Sequence, residues 1–292
     1  MTALRLDAPA KLNLSLAVVG RRADGFHVLD SVLVLIELSD RLLLLPGSQG
    51  LRVEIADAGL DDDDVPRQPE RNLAWRGFLA GLAGSPAMAF LTLDKRIPSG
   101  AGLGGGSSDA AAGWRLGRSW SGVDTDPAAA ECAALSVIGA DVPFFAAMLP
   151  AARVRGIGEQ VEPAMLPEAR HAVLAVAPFR LSTAAVYAEL RPRDWSTDPV
   201  EATAAGRNDL LEPARRLCPE LDDLLAAVRR AGGEPRLTGS GPTVFCLVDD
   251  PSRADAVAST LAGTGLRVIR TRLASQAARI ERLVEEHEGV SG

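Results

Sequence analysis

A glycine-rich segment, residues 96–114, has the residue types that could hold a phosphate. Its sequence is RIPSGAGLGGGSSDAAAGW, in which five glycines precede Ser107 and Ser108. Glycines let successive backbone N–H groups point into one concavity, and such a nest binds anions. The residues that follow favour a helix, whose N-terminus offers free N–H groups and a partial positive charge. The segment is therefore typical of a phosphate-binding loop, and the two serine hydroxyls could reach a phosphate oxygen or its magnesium.

Other interpretations of this segment fit less well. A Walker A loop needs a lysine after its glycines, and none follows here. Gly100, Gly102 and Gly105 match the G-x-G-x-x-G pattern of dinucleotide-binding proteins. That pattern should follow a strand directly, whereas residues 95–98 intervene, and the acidic residues about twenty positions later fall in a loop. A flexible linker with a serine cap is the remaining alternative, but Pro98 before the glycines and the alanine-rich run after them favour a shaped loop.

Lysine is rare in this chain, because Lys11 and Lys95 are the only two among 31 basic residues. Where arginine supplies most of the positive charge, a lysine indicates a need for a compact ammonium group, although two positions could also arise by chance. Lys11 could equally be a surface lysine on a strand. Asp141 is flanked by Ala140 and by the apolar run VPFF, which places a carboxylate against a dry wall; the alternative is a helix cap or a turn residue.

Composition excludes several classes of function. The chain has 292 residues, of which 47% are hydrophobic and 24% charged, with a net charge of −7. A nucleic-acid-binding protein would normally be basic. Apolar runs all fall short of the ~20 residues that span a bilayer. The N-terminal segment lacks a basic start and a small-residue cleavage site, so we expect a cytoplasmic protein that begins with a strand.

The elements that must position these residues fall into two groups. In the first half, alternating or β-branched segments predict strands at 6–20, 28–45, 51–55 and 89–94. A helix is predicted after the N-cap Asn72, a serine-capped helix at 107–120, and a third at 126–139 with Pro127 in its first turn. The four aspartates at 61–64 are interpreted as part of a solvated loop, because they lack the spacing of a calcium site.

After about Pro150 the pattern changes. Strands are predicted at 152–164, 171–179 and 266–274, and a strand, tight turn and strand at 235–250. Helices are predicted at 182–190, 208–232 and 251–263, with a mixed-charge helix at 276–292. We therefore predict an α+β protein of two domains, residues 1–152 with the phosphate loop and residues 153–292.

The loop resembles that of the GHMP kinase superfamily, which includes galactokinase, homoserine kinase and mevalonate kinase. Pro98, Gly102, Leu103 and Gly104 match its P-x-x-x-G-L-G pattern. Further blocks occur in the order found in a branch of the family whose small-molecule substrate carries a cytidylyl group. They are PAKLNLSLAVVGRRADGFHVLDSV, IGADVPFF, RGIGEQVEP, GRNDLLEP and RLTGSGPTVF, and they extend from Pro9 to about Val248. The resemblance implies a ribosomal-protein-S5-domain-2-like N-terminal domain, a ferredoxin-like C-terminal domain and an active site in the cleft between them.

The resemblance also implies roles for individual residues. ATP is the implied phosphoryl donor, with Mg²⁺ whose ligands are left unassigned. Lys11 and Asp141 are the implied catalytic pair, with Asp141 as the base. The implied ATP-binding residues are Asn72 and Lys95, near the adenine or ribose, and the loop residues Pro98, Ser99, Gly100, Ala101, Gly102, Leu103, Gly104, Gly105, Gly106, Ser107 and Ser108.

The implied substrate-binding residues are Asn13, Phe26, His27, Thr183, Tyr187, Gly239 and Ser240. By resemblance, His27 contacts the edge of the cytosine while aromatic rings at Phe26 and Tyr187 cover its two faces. The family usually has tyrosine where this chain has Phe26, which keeps the ring and loses the hydroxyl. Taken alone, His27 could be a structural histidine, and the Gly239–Ser240 turn could be a plain hairpin turn.

Two alternatives remain beside a kinase for a cytidylyl substrate. One is another GHMP kinase acting on homoserine or mevalonate, which would not need the GFH sequence or the longer glycine loop. The other is a nucleotide-binding protein without catalysis, against which the presence of both Lys11 and Asp141 counts. The expected partners are ATP and a small-molecule substrate, with neither nucleic acid nor membrane, and the expected state is a monomer or a weak homodimer.

Overall fold

The computed structural model of the chain describes residues 2–55, 65–86, 88–196, 198 and 206–283. Its strands are β1 (Ala3–Arg21), β2 (His27–Pro46), β3 (Gly50–Ile55), β4 (Ala89–Lys95), β5 (Ala151–Gly156), β6 (Gln160–Pro163), β7 (His171–Val176), β8 (Arg236–Leu237), β9 (Val244–Val248), β10 (Arg267–Arg272) and β11 (Glu281–Leu283). Its α-helices are α1 (Leu73–Gly81), α2 (Gly105–Trp120), α3 (Ala129–Ala134), α4 (Val142–Ala146), α5 (Thr183–Glu189), α6 (Leu211–Leu217), α7 (Leu221–Arg230) and α8 (Pro251–Ala262). Short 3₁₀ turns lie at Pro69–Arg71, Leu135–Val137 and Pro192–Asp194.

The first sheet is built on a long antiparallel ribbon of β1 and β2. Alternating apolar residues in both strands bury one face, as a period of two requires. The strand order is β11-β1-β2-β4-β3, and β5 pairs with the other end of β2 and carries β6. Register shifts interrupt the ribbon on both sides of the Lys11–Asn13 segment. Such bulges redirect side chains, and here they frame the two residues that the sequence placed in the site.

The second sheet has the order β10-β7-β9-β8, and all of its strand pairs are antiparallel. Helices α5–α7 connect β7 to β8, and α8 connects β9 to β10. This is the β-α-β-β-α-β arrangement of a ferredoxin-like domain, so the prediction for the second half of the chain is confirmed.

The two sheets share a buried core. Ala10, Leu12 and Ile36 of the first sheet pack with Leu174 and Phe245 of the second. Further along β1, Leu16 and Val18 join the hydrophobic core of the second sheet and its helices. The strand that carries Lys11 is therefore held by both halves of the molecule.

The structure corrects several local predictions. Helix α2 has no serine cap, since Gly104 occupies its N-cap in the left-handed region, with φ +73°. Pro127 precedes the N-cap Ala128 of α3 and lies outside the first turn. The helical segment predicted at 208–232 is interrupted at Cys218 and Pro219, because a proline beyond the first turn breaks a helix, and it forms α6 and α7. The Asn72 N-cap is confirmed.

The division of the chain also differs from the expected cut. The boundary predicted at 152/153 lies within β5, and β5, β6 and β11 all belong to the first sheet. The tail predicted as a helix is loop and strand up to residue 283, where β11 pairs with β1. The rest of that tail and the aspartates at 61–64 lie outside the described residues. Within the described part of the chain, no helix has the length and apolarity needed to cross a membrane.

Candidate active site

A cavity of about 610 Å³ brings together residues from nearly the whole length of the chain. Most of the predicted site residues line it. They are Lys11, Asn13, Asn72, Lys95, Pro98, Ser99, Gly100, Ala101, Gly102, Leu103, Gly104, Gly105, Gly106, Ser107, Asp141, Thr183, Tyr187, Gly239 and Ser240. Phe26, His27 and Ser108 are not among its lining residues.

Lys11 lines the cavity, with 3% of its surface exposed. Its ammonium donates to Asn13 Oδ1 at 2.6 Å and to the Gly102 carbonyl at 2.8 Å. Burial lowers the pKa of Lys11, and the charge of Asp141 opposes that shift. The interpretation of Lys11 as a surface lysine is therefore wrong.

Asp141 holds the N-cap position of α4, yet its side chain makes no capping hydrogen bond. Its Oδ2 lies 3.7 Å from Lys11 Nζ, and the side chain is 36% exposed. Val142 and Phe144, which follow it, are fully buried. A carboxylate that is open to the cavity, faces an ammonium and backs onto an apolar wall is suited to accept a proton from a bound hydroxyl group.

The glycine loop has the backbone geometry of an anion nest. Gly100, Gly102 and Gly104 have φ values of +65°, +76° and +73°, a region that residues with a Cβ adopt with strain. A Cβ on Gly104 would lie 3.1 Å from Lys11 Cγ, so glycine also lets the loop approach the lysine. The first N–H groups of α2 have no acceptor within the helix and point toward the loop. The arrangement can bind a polyphosphate beside Lys11 and Asp141.

The two serines of the loop have different environments. Ser107 lines the cavity in the first turn of α2. Ser108 is buried and its hydroxyl donates to the Pro9 carbonyl at 2.6 Å, which ties the helix to β1. The expectation that both hydroxyls reach a phosphate is therefore corrected for Ser108.

Asn72 and Lys95 line the cavity, and their side chains form hydrogen bonds within the protein. Asn72 Oδ1 accepts from Ala74 N at 2.9 Å, and its Nδ2 donates to the Pro66 carbonyl at 2.8 Å. The Lys95 ammonium donates to Asp40 and, at 2.7 Å, to Asp109 Oδ2. These hydrogen bonds fix both side chains in the cavity wall.

The cluster of Lys95, Asp40 and Asp109 holds the start of the glycine loop in place. Asp40 Oδ1 accepts from the backbone N–H groups of Arg96 and Ile97 at 2.6 and 2.8 Å, where β4 leads into the glycine loop. Asp109 Oδ1 is buried and has no hydrogen-bond partner among the described residues. Burial raises the pKa of Asp109 to about 8, although the Lys95 ammonium opposes that shift.

Aromatic rings gather around Tyr187, which lines the cavity. His27 stacks on Tyr187, with ring centroids 5.4 Å apart and planes at 30°, and meets the Trp195 ring edge-on at 6.1 Å. Partial burial lowers the pKa of His27, and the positive charge of Arg21 lowers it further, so the imidazole is neutral at pH 7. Phe26 is 62% exposed on the turn between β1 and β2.

Hydroxyl and amide groups also line the cavity. The hydroxyls of Thr183 and Ser240 lie 2.8 Å apart. Asn13 Oδ1 accepts from Lys11 and from Gly239 N, and its Nδ2 donates to Ser31 Oγ at 2.9 Å. An amide nitrogen has two N–H groups, and the described residues supply an acceptor for one of them, so the other is available to a bound hydroxyl.

Sequence reasoning missed several groups that build this site. Asp40 and Asp109 hold Lys95, the Thr238 hydroxyl accepts from Asn13 N at 3.2 Å, and Asn208 Nδ2 donates to the Gly239 carbonyl at 2.8 Å. Asp109 directly follows the two serines of the loop, and Asn208 lies in the GRNDLLEP block, so both were adjacent to noted motifs. Asp40 had no such signal, because its partner is 55 residues away.

A metal site made of protein carboxylates is not evident. Among the described residues, no group of three or more histidine, cysteine, aspartate or glutamate side chains could hold an ion. Mg²⁺ bound to a nucleotide keeps several waters and uses few protein ligands, and Asp141 and Ser107 offer oxygen atoms at the cavity. The residues present thus fit a magnesium that arrives with its nucleotide.

Comparison with known proteins agrees with this geometry. Residues 72–148 match the family description "GHMP kinases N terminal domain", and residues 199–265 match "GHMP kinases C terminal". A protein of Granulibacter bethesdensis named 4-diphosphocytidyl-2-C-methyl-D-erythritol kinase is 40% identical over 275 residues, covering 87% of this chain and 88% of the relative. A protein of Thermus thermophilus with the same name is 38% identical over 88% of this chain and 92% of its own length.

Solved structures give the same result. A crystal structure of 4-(cytidine 5'-diphospho)-2C-methyl-D-erythritol kinase is 36% identical and superimposes with a TM-score of 0.73 over 92% of this chain and 98% of its own. Homoserine kinase of Cytophaga hutchinsonii superimposes with a TM-score of 0.68 over 96% of this chain and 98% of its own at 18% identity, which is evidence for a shared fold alone.

Proposed function

The chain belongs to the GHMP kinases, in the branch of the 4-diphosphocytidyl-2-C-methyl-D-erythritol kinases, and from this premise we propose that it transfers the γ-phosphoryl group of ATP to the 2-hydroxyl of 4-diphosphocytidyl-2-C-methyl-D-erythritol. This reaction belongs to the non-mevalonate route to isoprenoid precursors. The observation that carries the proposal is the ion pair of Lys11 and Asp141, 3.7 Å apart, beside a glycine loop at a helix N-terminus.

In the proposed reaction Asp141 accepts the proton of the substrate hydroxyl. That oxygen forms a bond to the γ-phosphorus while the bond from the γ-phosphorus to the bridging oxygen of ADP breaks. Transition states of this kind are loose, so orienting the hydroxyl matters as much as removing its proton. The Lys11 ammonium, 3.7 Å from Asp141 Oδ2, offers positive charge to the transferring phosphoryl group.

The proposed ATP site is the glycine loop, with the end of the cavity near Asn72 and Lys95 for the nucleoside. The N–H groups at the start of α2 and the partial positive charge of that helix would bind the phosphates. Mg²⁺ would come with ATP and neutralise phosphate charge, with Ser107 and Asp141 as the protein oxygens available to it.

The cytidylyl group is proposed to bind beside the aromatic rings of His27 and Tyr187. A cytosine placed edge to edge with His27, in the plane of the imidazole, would stack on Tyr187 as His27 does. The exposed ring of Phe26 could then cover the other face of the cytosine. A neutral imidazole can both donate and accept at the edge of a cytosine. Thr183, Ser240 and the remaining N–H of Asn13 are the proposed contacts of the polyol and diphosphate.

A second copy of the chain is not needed, because every group invoked here comes from one molecule. A monomer or a weak homodimer would suffice, and both substrates are metabolites that suit a cytoplasmic enzyme.

The test is an assay of ADP release with three acceptors: the cytidylyl substrate, homoserine and mevalonate. Turnover with the cytidylyl substrate alone is expected, whereas turnover with either other acceptor would favour another GHMP kinase. For Asp141→Asn we expect kcat to fall by about 10²–10⁴ while ATP still binds, as measured by isothermal titration. A nucleotide-binding protein without catalysis would release no ADP with any acceptor.

A further inference from the structure

Thr238 occupies a junction between three segments that meet at the site. It lies after β8, at the start of the turn that contains Gly239, and is fully buried. Its hydroxyl oxygen accepts from Asn13 N of β1 at 3.2 Å, and its one proton has two acceptors within reach, the Gly102 carbonyl of the glycine loop at 3.2 Å and Asn13 Oδ1 at 3.4 Å. One side chain thus joins the second sheet, the first sheet and the phosphate loop.

Both partners of this hydroxyl are also partners of Lys11. The Lys11 ammonium donates to Asn13 Oδ1 and to the Gly102 carbonyl, the same residues that Thr238 holds through a backbone N–H and a carbonyl oxygen. The backbones of Gly102 and Thr238 also approach each other closely, since a Cβ on Gly102 would lie 2.3 Å from the Thr238 carbonyl oxygen. Thr238 therefore helps to hold both acceptors, together with Gly239 N and Ser31 Oγ at the Asn13 amide.

We propose that Thr238 is a positioning residue for phosphoryl transfer, whose hydroxyl fixes the two acceptors of the Lys11 ammonium and so sets the location of that ammonium. An ammonium group has three N–H bonds, and two of them are directed at Asn13 and Gly102. The third is left for Asp141 or for the transferring phosphoryl group. Without the Thr238 hydroxyl, the acceptors lose their common anchor and the ammonium its fixed direction.

The same turn provides a matched control. Thr243 lies five positions further on, is also fully buried, and its hydroxyl has no hydrogen-bond partner among the described residues. Thr243→Val therefore makes the same chemical change as Thr238→Val in the same turn, without removing a hydrogen bond. Thr238→Ser keeps the hydroxyl and removes only the methyl group.

The kinetic part of the test rests on the proposed function. We expect Thr238→Val to lower kcat by about tenfold or more while KM for each substrate changes by less than about threefold, because the affected contact orients a reacting group. Thr238→Ser is expected to restore most of kcat, and Thr243→Val to match the wild type. Equal kcat losses in Thr238→Val and Thr243→Val would overturn the proposal.

A second measurement does not depend on any activity. The chain has only two lysines, so protein labelled with ¹³C at lysine Cε gives two resonances, and Lys95 serves as an internal reference. We expect Thr238→Val to shift the Lys11 resonance and to lower the pKa of Lys11 further, because its charged form loses well-placed acceptors. Lys95 should not move, and Thr243→Val should move neither signal.

The outcomes separate the two proposals. If wild-type protein fails to phosphorylate the cytidylyl substrate while the Lys11 resonance responds to Thr238 alone, the proposed function fails and the role of Thr238 stands. An unchanged Lys11 resonance in Thr238→Val overturns the role of Thr238, whatever the activity. Should Thr238→Val not fold, Thr238→Ala removes the same hydroxyl with less bulk and is held to the same results.

Discussion

At the scale of single residues, the two lysines show why the chain departs from its use of arginine. Lys11 Nζ fits between Asn13 Oδ1 and the Gly102 carbonyl, and a Cβ on Gly239 would come within 3.2 Å of it. Lys95 is enclosed by two carboxylates with 3% of its surface exposed. A planar guanidinium needs more room than either place offers, so both positions require a compact ammonium.

The cluster around Lys95 gives a prediction about pH. Burial raises the pKa of Asp109 to about 8, from 3.8 in an unfolded chain. Between these values the folded state keeps a proton that the unfolded state has lost, so stability falls as pH rises from about 4 to about 8. Asp109→Asn cannot ionise and lacks this contribution. We therefore expect its Tm, relative to wild type, to be several degrees higher at pH 8.5 than at pH 5.

The measurement is thermal unfolding followed by circular dichroism at the two pH values. Asp249→Asn removes an exposed carboxylate and serves as the control for the loss of one charge. A Tm difference between Asp109→Asn and wild type that is the same at pH 5 and pH 8.5 would contradict a raised pKa for Asp109.

Residue types alone predicted part of the site. The rarity of lysine and the apolar surroundings of Asp141 both pointed to residues that the structure places at one cavity. The pairing of Lys95 with Asp40 could not be predicted, because the two residues are 55 positions apart and meet only through the pairing of β2 with β4. Thr238 was missed for a similar reason, since its partners on β1 and in the loop are distant in sequence.

At the scale of elements, the glycine loop combines two separate demands for glycine. Gly100 has φ +65° and open space where a Cβ would be, so only its backbone conformation requires glycine. Gly102 has φ +76° and, in addition, the Thr238 carbonyl oxygen 2.3 Å from the Cβ position. An alanine at position 100 would therefore add backbone strain alone. An alanine at position 102 would add backbone strain and a steric clash with the second sheet.

We expect Gly100→Ala to lower the free energy of unfolding by about 1–2 kcal/mol, the cost of a left-handed backbone conformation for a residue with a Cβ. Gly102→Ala should lower it by a further 1–3 kcal/mol or so, because the loop must move away from the β8–β9 turn. Urea unfolding of both variants measures the difference. Equal losses would mean that the contact between the loop and Thr238 is loose enough to absorb a methyl group.

Most elements could be predicted from local patterns, whereas their ends and breaks could not. Alternation in β1 and the Asn72 cap of α1 are local signals, and both predictions are confirmed. The predicted start of α2 was wrong because its N-cap is Gly104, a left-handed glycine with no side chain that could signal a cap. The helix predicted for the tail was wrong over the described residues up to 283, because residues 281–283 pair with the edge of β1, a tertiary demand that outweighs helical periodicity.

At the scale of the whole molecule, β1 joins the two halves. Its first residues pack against α1 and α2, its middle carries Lys11, and its last residues enter the core of the ferredoxin-like domain. Phe245 of β9 is fully buried and packs with Leu12 and Ile36 in the core shared by the sheets. A site that takes its phosphate loop from one sheet and its Gly239 turn from the other needs this shared core to keep them in register.

The shared core predicts that the two sheets unfold together. Phe245→Ala should lower the free energy of unfolding by about 3–5 kcal/mol, the usual loss for a buried phenylalanine. Three of the four tryptophans lie in α1 and α2, so tryptophan fluorescence reports mainly on the first domain, whereas far-ultraviolet circular dichroism reports on both. The urea unfolding curves from these two probes should therefore coincide. Val137→Ala, at a position 84% exposed, is the control and should leave the midpoint nearly unchanged. Separate midpoints for the two probes in wild-type protein would show that β1 does not couple the two halves. The glycine loop and the Gly239 turn would then be held together only by local hydrogen bonds at Asn13, Gly102 and Thr238.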